Sequence, residues 1–124
     1  MKVLVDTSLL LLCAERGRDY LALIEDKLGE KLIYYVPSTV LRELERLRME
    51  GGKRGRAANV AWEIAGGLQT VEAGDAGADR SLGLLAIRHG MAVATVDRAL
   101  ARRLRGMGVK VIMVDRSGSP RVLG

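Results

Sequence analysis

Four acidic residues occupy positions that packing alone does not explain. Asp6 closes a short β-branched run in VLVDTSLL, and Asp97 closes another in VATVDRAL. Glu43 lies in PSTVLRELERL and Asp79 in GADRSLGLLA, each early in a stretch with helical spacing. Singly, each has an ordinary structural use. A helix dipole favours an acid in its first turn, and an Asp after a strand caps the next helix. Jointly they are harder to dismiss, because several carboxylates brought to one place repel unless a cation neutralises them. An all-oxygen set with no His or Cys suits a hard cation, Mg²⁺ or Mn²⁺. Such a cation activates water and stabilises the charge of an in-line displacement at phosphorus.

Other chemistry is sparse. The single histidine, His89, ends a helical stretch before Gly90 and reads as a complement to the helix C-terminus. With it placed there, no Ser-His-Asp arrangement can be assembled. The chain has no Walker loop and no GxGxxG, and its glycines fall where helices should end. One cysteine, Cys13, excludes an internal disulfide and a thiolate zinc site, and among leucines it reads as a small buried hydrophobe. The net charge of +5 comes mainly from fifteen arginines, whose planar forks match phosphate oxygens in pairs. They cluster from Arg42 to Arg56 and from Arg98 onward. A polyanionic partner is expected.

The elements that must position the four acids follow from apolar spacing. Strands are expected over Lys2–Val5, Leu32–Val36, Gln69–Glu72, Met91–Thr95 and Val109–Val114. Helices are expected over Ser8–Ala14, Arg18–Leu28, Ser38–Met49 with Ser38 as N-cap, Gly55–Ala65, Ala78–His89 and Arg98–Arg105. The alternation predicts an α/β domain over residues 1–114 with a parallel sheet, followed by a polar tail over 115–124. In a parallel sheet, strand C-termini and helix N-termini share one edge, so all four carboxylates can converge where the strand order reverses. No apolar stretch approaches the ~20 residues of a membrane span, no secretory signal precedes the fold, and a cytoplasmic protein is expected. The apolar content of Ala14–Leu28 and Gly55–Ala65 exceeds what one sheet face covers, which points to a homodimer.

VLVDTSLLL, PSTVLRELERL, GADRSLGLLA and VATVDRAL, in that order and spacing, resemble the four signature segments of PIN-domain nucleases. The resemblance covers roughly residues 2 to 114. The stretch VATVDRALARRLRGMGVKVIMV is most similar to the PIN endonucleases that process small-subunit ribosomal RNA in archaea and eukaryotes. Toxin nucleases of toxin–antitoxin pairs share the same four acids. The resemblance implies a five-stranded parallel sheet in the order 3-2-1-4-5 and Mg²⁺- or Mn²⁺-dependent cleavage of single-stranded RNA. Carried over by position, it implies that Asp6 and Asp97 bind metal directly, that Glu43 and Asp79 add a ligand or position water, and that Thr7, Ser8 and Thr95 support them. Arg80 stands where some relatives carry a further acid, and its charge works against a second metal. Arg54, Arg56, Arg98, Arg102 and Arg103 are candidates for RNA phosphates. Three roles stay open: ribosomal RNA processing with an assembly partner, a toxin ribonuclease with an antitoxin, and an RNA-binding module without catalysis. An aspartyl phosphatase would want an acid at Ser8, and a receiver domain would want paired acids after the first strand.

Overall fold

In the computed structural model, the backbone is described for residues 1–74 and 78–124, and side chains for residues 1–74 and 80–124. Lys2–Val5 (β1) lies centrally in a six-stranded sheet. Its flanks are Ile33–Pro37 (β2) and then Gln69–Val71 (β3) on one side, and Ala92–Thr95 (β4), Val111–Val114 (β5) and Pro120–Leu123 (β6) on the other. The first five strands are parallel, in the order 3-2-1-4-5. The sixth is antiparallel to β5, pairing Met113 with Arg121 and Val111 with Leu123. The stretch expected as a polar tail over 115–124 therefore closes the sheet edge as a hairpin.

Sheet residues alternate between two cores, as the two-residue period of a strand requires. Val3, Val5, Ala92, Ala94, Ile112 and Val114 face helices α1 (Thr7–Arg16), α2 (Tyr20–Leu28), α3 (Ser38–Glu50) and α4 (Gly52–Gly66). Leu4, Val93 and Val111 face α5 (Ala78–His89) and α6 (Arg98–Gly106). Both faces are covered, which is why β1 and β4 read as continuous apolar runs. Cys13 is buried and free in the larger core, where burial pushes its thiol pKa up. Among the described residues, no helix is long and apolar enough to cross a membrane.

Most element ends move by one or two residues from the sequence expectation, as where α2 begins at Tyr20 rather than Arg18, and two further differences involve α3 and α4. Ser38 does not cap α3: the N-cap is Pro37, and the Ser38 hydroxyl accepts from the Ala73 amide at 2.9 Å, tying α3 to the segment after β3. The helix after the Gly51-Gly52 break begins at Gly52 rather than Gly55. Gly55 is buried against α3, where a Cβ would lie 3.2 Å from the Leu47 carbonyl, so its smallness serves close helix approach. Arg48 of α3 reinforces that approach by donating to Asn59 Oδ1 at 2.8 Å and lying 4.9 Å from the Trp62 ring centre. The α3–α4 pair carries Glu43 and Arg54.

Candidate active site

Asp6 and Asp97 each follow a strand and cap the next helix. Asp6 Oδ1 accepts from the Leu9 amide at 3.0 Å at the start of α1. Asp97 Oδ1 accepts from the Ala99 and Leu100 amides at 2.9 and 3.1 Å at the start of α6. β1 and β4 are parallel neighbours, so both acids stand at one sheet edge. Both line a cleft of ≈ 310 Å³ together with Thr7, Ser8, Glu43 and Arg54.

The two aspartates differ in burial. Asp6 is only 5% exposed, whereas Asp97 is exposed. Three hydroxyl contacts surround the buried one. Ser8 Oγ lies 3.0 and 2.8 Å from its two oxygens, and Thr95 Oγ1 donates to Oδ2 at 2.6 Å. Thr95 Oγ1 also accepts from the Asp97 amide at 3.0 Å, so one fully buried hydroxyl fixes both aspartates. Burial raises the Asp6 pKa to about 6, against the lowering effect of its hydrogen bonds, and the Asp97 charge pushes the same way as burial.

Glu43 comes from the second turn of α3. Its Oε1 accepts from Thr7 Oγ1 at 2.5 Å, which ties α3 to the first residue of α1. Its other oxygen lies 4.0 Å from Arg46, an exposed pair of little energetic weight. The expectation on the Asp79 side chain falls outside the described residues. Among the described residues, no three His, Cys, Asp or Glu side chains form a group able to hold a metal ion by themselves. The carboxylates thus line an open cleft without forming a closed cage.

The basic candidates separate. Arg54 of α4 lines the carboxylate cleft. Arg98 and Arg102 line a different groove, between α6 and the β5–β6 hairpin. Arg56 and Arg103 are exposed and line neither. Sequence reasoning missed Thr39, which lines the cleft four residues before Glu43. The i, i+4 spacing on α3 was the available signal. It also missed Arg105, Arg116 and Arg121 in the second groove, two of which depend on the unforeseen hairpin.

The comparisons agree with the topology. Residues 3–116 match the PIN-like domain family. The solved PIN domain endonuclease Utp24 superposes with a TM-score of 0.77 at 26% identity, covering 98% of this chain and 90% of that one. A domain of a functionally unknown protein from Methanocaldococcus jannaschii gives 0.70 at 18% identity, over 92% and 91%. VapBC2 from Rickettsia felis, solved bound to a DNA fragment from its promoter, gives 0.63 at 13%, over 82% and 92%. The last two are likenesses of fold alone. No curated protein matches the chain in sequence.

Proposed function

The chain belongs to the PIN-like domain family, and from that premise we propose that it is a divalent-metal-dependent endoribonuclease acting on single-stranded RNA. The observation that carries the reading is Asp6. A carboxyl buried at a strand end, held by two hydroxyls and a backbone amide and sharing an open cleft with Asp97 and Glu43, is costly to keep charged. A cation offsets that cost, and the donor set is all oxygen, as Mg²⁺ and Mn²⁺ prefer. Mg²⁺ commonly takes one or two carboxylates and completes its shell with waters and substrate phosphate, so an open cleft fits it.

Asp6 and Asp97 would hold the cation, with Glu43 as a further ligand or water-positioning group. Asp79 joins them on its sequence motif. When bound, the cation lowers the pKa of its water and offsets charge at the scissile phosphate. The chain's own groups do the remaining work. Ser8 and Thr95 orient Asp6, and Thr95 aligns the Asp97 backbone with it. Thr7 holds Glu43 against α1. Arg54, in the same cleft, is placed to take a phosphate oxygen. The nearness of Utp24, a PIN domain endonuclease at 26% identity, supports the same reaction class. The similarity of residues 93–114 to ribosomal RNA-processing enzymes favours that role. A short overlapping reading frame upstream of the gene would favour a toxin instead.

The test is cleavage of an end-labelled single-stranded RNA with Mg²⁺ or Mn²⁺. Wild-type protein should cut internally, lose activity in EDTA and regain it with either ion. Equal cutting by wild type and Asp6→Asn would overturn the assignment.

A further inference from the structure

A groove of ≈ 840 Å³ runs beside α6. One wall carries Arg98, Arg102 and Arg105, an i, i+4, i+7 stripe on α6 that spans about 10 Å. The opposite wall carries Arg116 from the β5–β6 turn and Arg121 from β6. Arg121 pairs with Met113, and directly opposed residues of an antiparallel pair share a face. Met113 packs with the α5–α6 core, so Arg121 stands on the α6 side. All five arginines are exposed, and among the described residues none of the five forms an ion pair.

Asp115 also lines the groove, as one negative charge whose Oδ1 is engaged within the turn. Its Oδ1 accepts from the Ser117 amide at 2.9 Å, the Ser117 hydroxyl at 2.6 Å and the Ser119 amide at 2.9 Å. The turn is braced from behind by α2. Tyr20 donates its hydroxyl to the Arg116 carbonyl at 3.0 Å, and Lys27 Nζ donates to Ser119 Oγ at 2.8 Å. Gly118 has a φ of +88°, and a Cβ there would stand 2.8 Å from the Tyr20 ring and from Leu23. The turn that carries Arg116 is therefore held by α2, and the strand that carries Arg121 is held by its pairing with β5.

Five arginines on two walls, set against the single carboxylate of Asp115, suit a ligand with a repeating negative charge. The lining has no aromatic residue, so the groove is built for phosphates and not for stacked bases. It starts at Arg98, the residue after Asp97 of the carboxylate cleft. We infer that the groove between α6 and the C-terminal hairpin holds the phosphodiester backbone of the RNA strand beyond the scissile bond, with Arg105, Arg116 and Arg121 as phosphate contacts. This rests on the nuclease reading above.

The experiment measures binding of fluorescent single-stranded RNA to Asp6→Asn protein in Mg²⁺ over a range of salt. Each arginine on a single-stranded phosphate contributes ~0.7 to the slope of log affinity against log salt. Adding Arg116→Ala and Arg121→Ala should flatten the slope by ~1.4, and the paired lysine substitutions should retain most of it. A control pair of equal charge loss, Arg16→Ala with Arg88→Ala, should leave the slope nearly unchanged. Thermal melts establish that each variant folds. RNA binding with equal slopes for both pairs overturns the groove and leaves the nuclease reading standing. No RNA binding by folded Asp6→Asn protein, with no cleavage by wild type, overturns that reading and the groove with it. A groove pair that loses polyglutamate binding while keeping RNA binding makes an acidic protein the occupant and overturns the inference.

Discussion

The carboxylate cleft and the arginine groove meet on α6 and are built by opposite means. Asp97 and Leu100 line the first, Arg98 and Ala101 the second. In the cleft, hydrogen bonds hold carboxylate oxygens of Asp6, Glu43 and Asp97 in place, and Asp6 is buried at an energetic cost. In the groove the charges are exposed, and only the backbone beneath Arg116 and Arg121 is braced. Chemistry at one phosphorus atom needs oxygens fixed to a fraction of an ångström, whereas holding a strand needs charge density. The two regions should therefore come apart under mutation.

The largest effect should fall on the cleft. Asp6→Asn should lower kcat for RNA cleavage by more than about 100-fold, because it removes a proposed metal ligand. RNA affinity should hold or rise slightly, since a negative charge leaves the neighbourhood of the strand. Single-turnover cleavage and equilibrium binding on one RNA would separate the two. Affinity collapsing with kcat would mean that cleft and groove act as one site.

The second effect is the pH dependence of stability without metal. The Asp6 pKa is raised in the folded protein to about 6 from an ordinary 3.8, so the native state binds the extra proton between those values. Stability should then fall as pH rises from about 4 to 6, by on the order of 2–3 kcal/mol, and level off above that. This direction is opposite to that of a salt-bridged aspartate. Asp6→Asn should flatten this fall and raise the melting temperature at pH 7 and above. Denaturant unfolding in EDTA at pH 4, 5, 6 and 7 measures it. Stability that climbs through the same window would show that the site favours the charged carboxylate even without a cation.

A smaller effect belongs to the groove. Arg98→Ala with Arg102→Ala should flatten the salt slope of RNA binding by ~1.4, about sevenfold less loss of affinity between 50 and 200 mM salt. The value of kcat at saturating RNA should change little. Losses should be similar for RNAs of different sequence, because phosphates carry no sequence information. A loss confined to one sequence would make these arginines readers of bases.

The cleft was far more legible in the sequence than the groove, for physical reasons. Asp6 and Asp97 each end an apolar run, and the parallel rule alone brings strand ends to one edge. Their difference in burial was not legible, because both have the same local setting. It arises because Asp6 caps α1, whose Leu9–Cys13 are all buried, whereas α6 buries only Leu100, Ala101 and Leu104. The Thr7–Glu43 bond spans 36 residues and is invisible to any local rule. β6 was missed because Pro120 and the Ser-Gly-Ser turn read as polar punctuation. Its strand character comes from pairing with β5 and from α2 bracing the turn. Ser38 was misread for a related reason: a serine after proline fits an N-cap, but a tertiary amide, that of Ala73, claimed the hydroxyl.

The smallest effect separates two uses of one residue. Asp97 caps α6 and also lines the carboxylate cleft. Asp97→Asn keeps a side-chain oxygen for the Ala99 and Leu100 amides, and Asn is as good a cap as Asp, so stability should change by a few tenths of a kcal/mol at most. Asp97→Ala loses the cap and should cost about 1 kcal/mol, or about 3–5 °C in melting temperature for a domain of this size. If Asp97 is also a metal-binding carboxylate, the two variants should be equally poor nucleases despite their different stabilities, since both remove the charge. Metal titration of cleavage, read beside thermal melts, makes the comparison. An Asp97→Asn variant that cuts RNA like wild type would reduce Asp97 to a helix cap. The cation would then rest on Asp6 and Glu43, and the cleft's catalytic edge would shift from β4 toward α3.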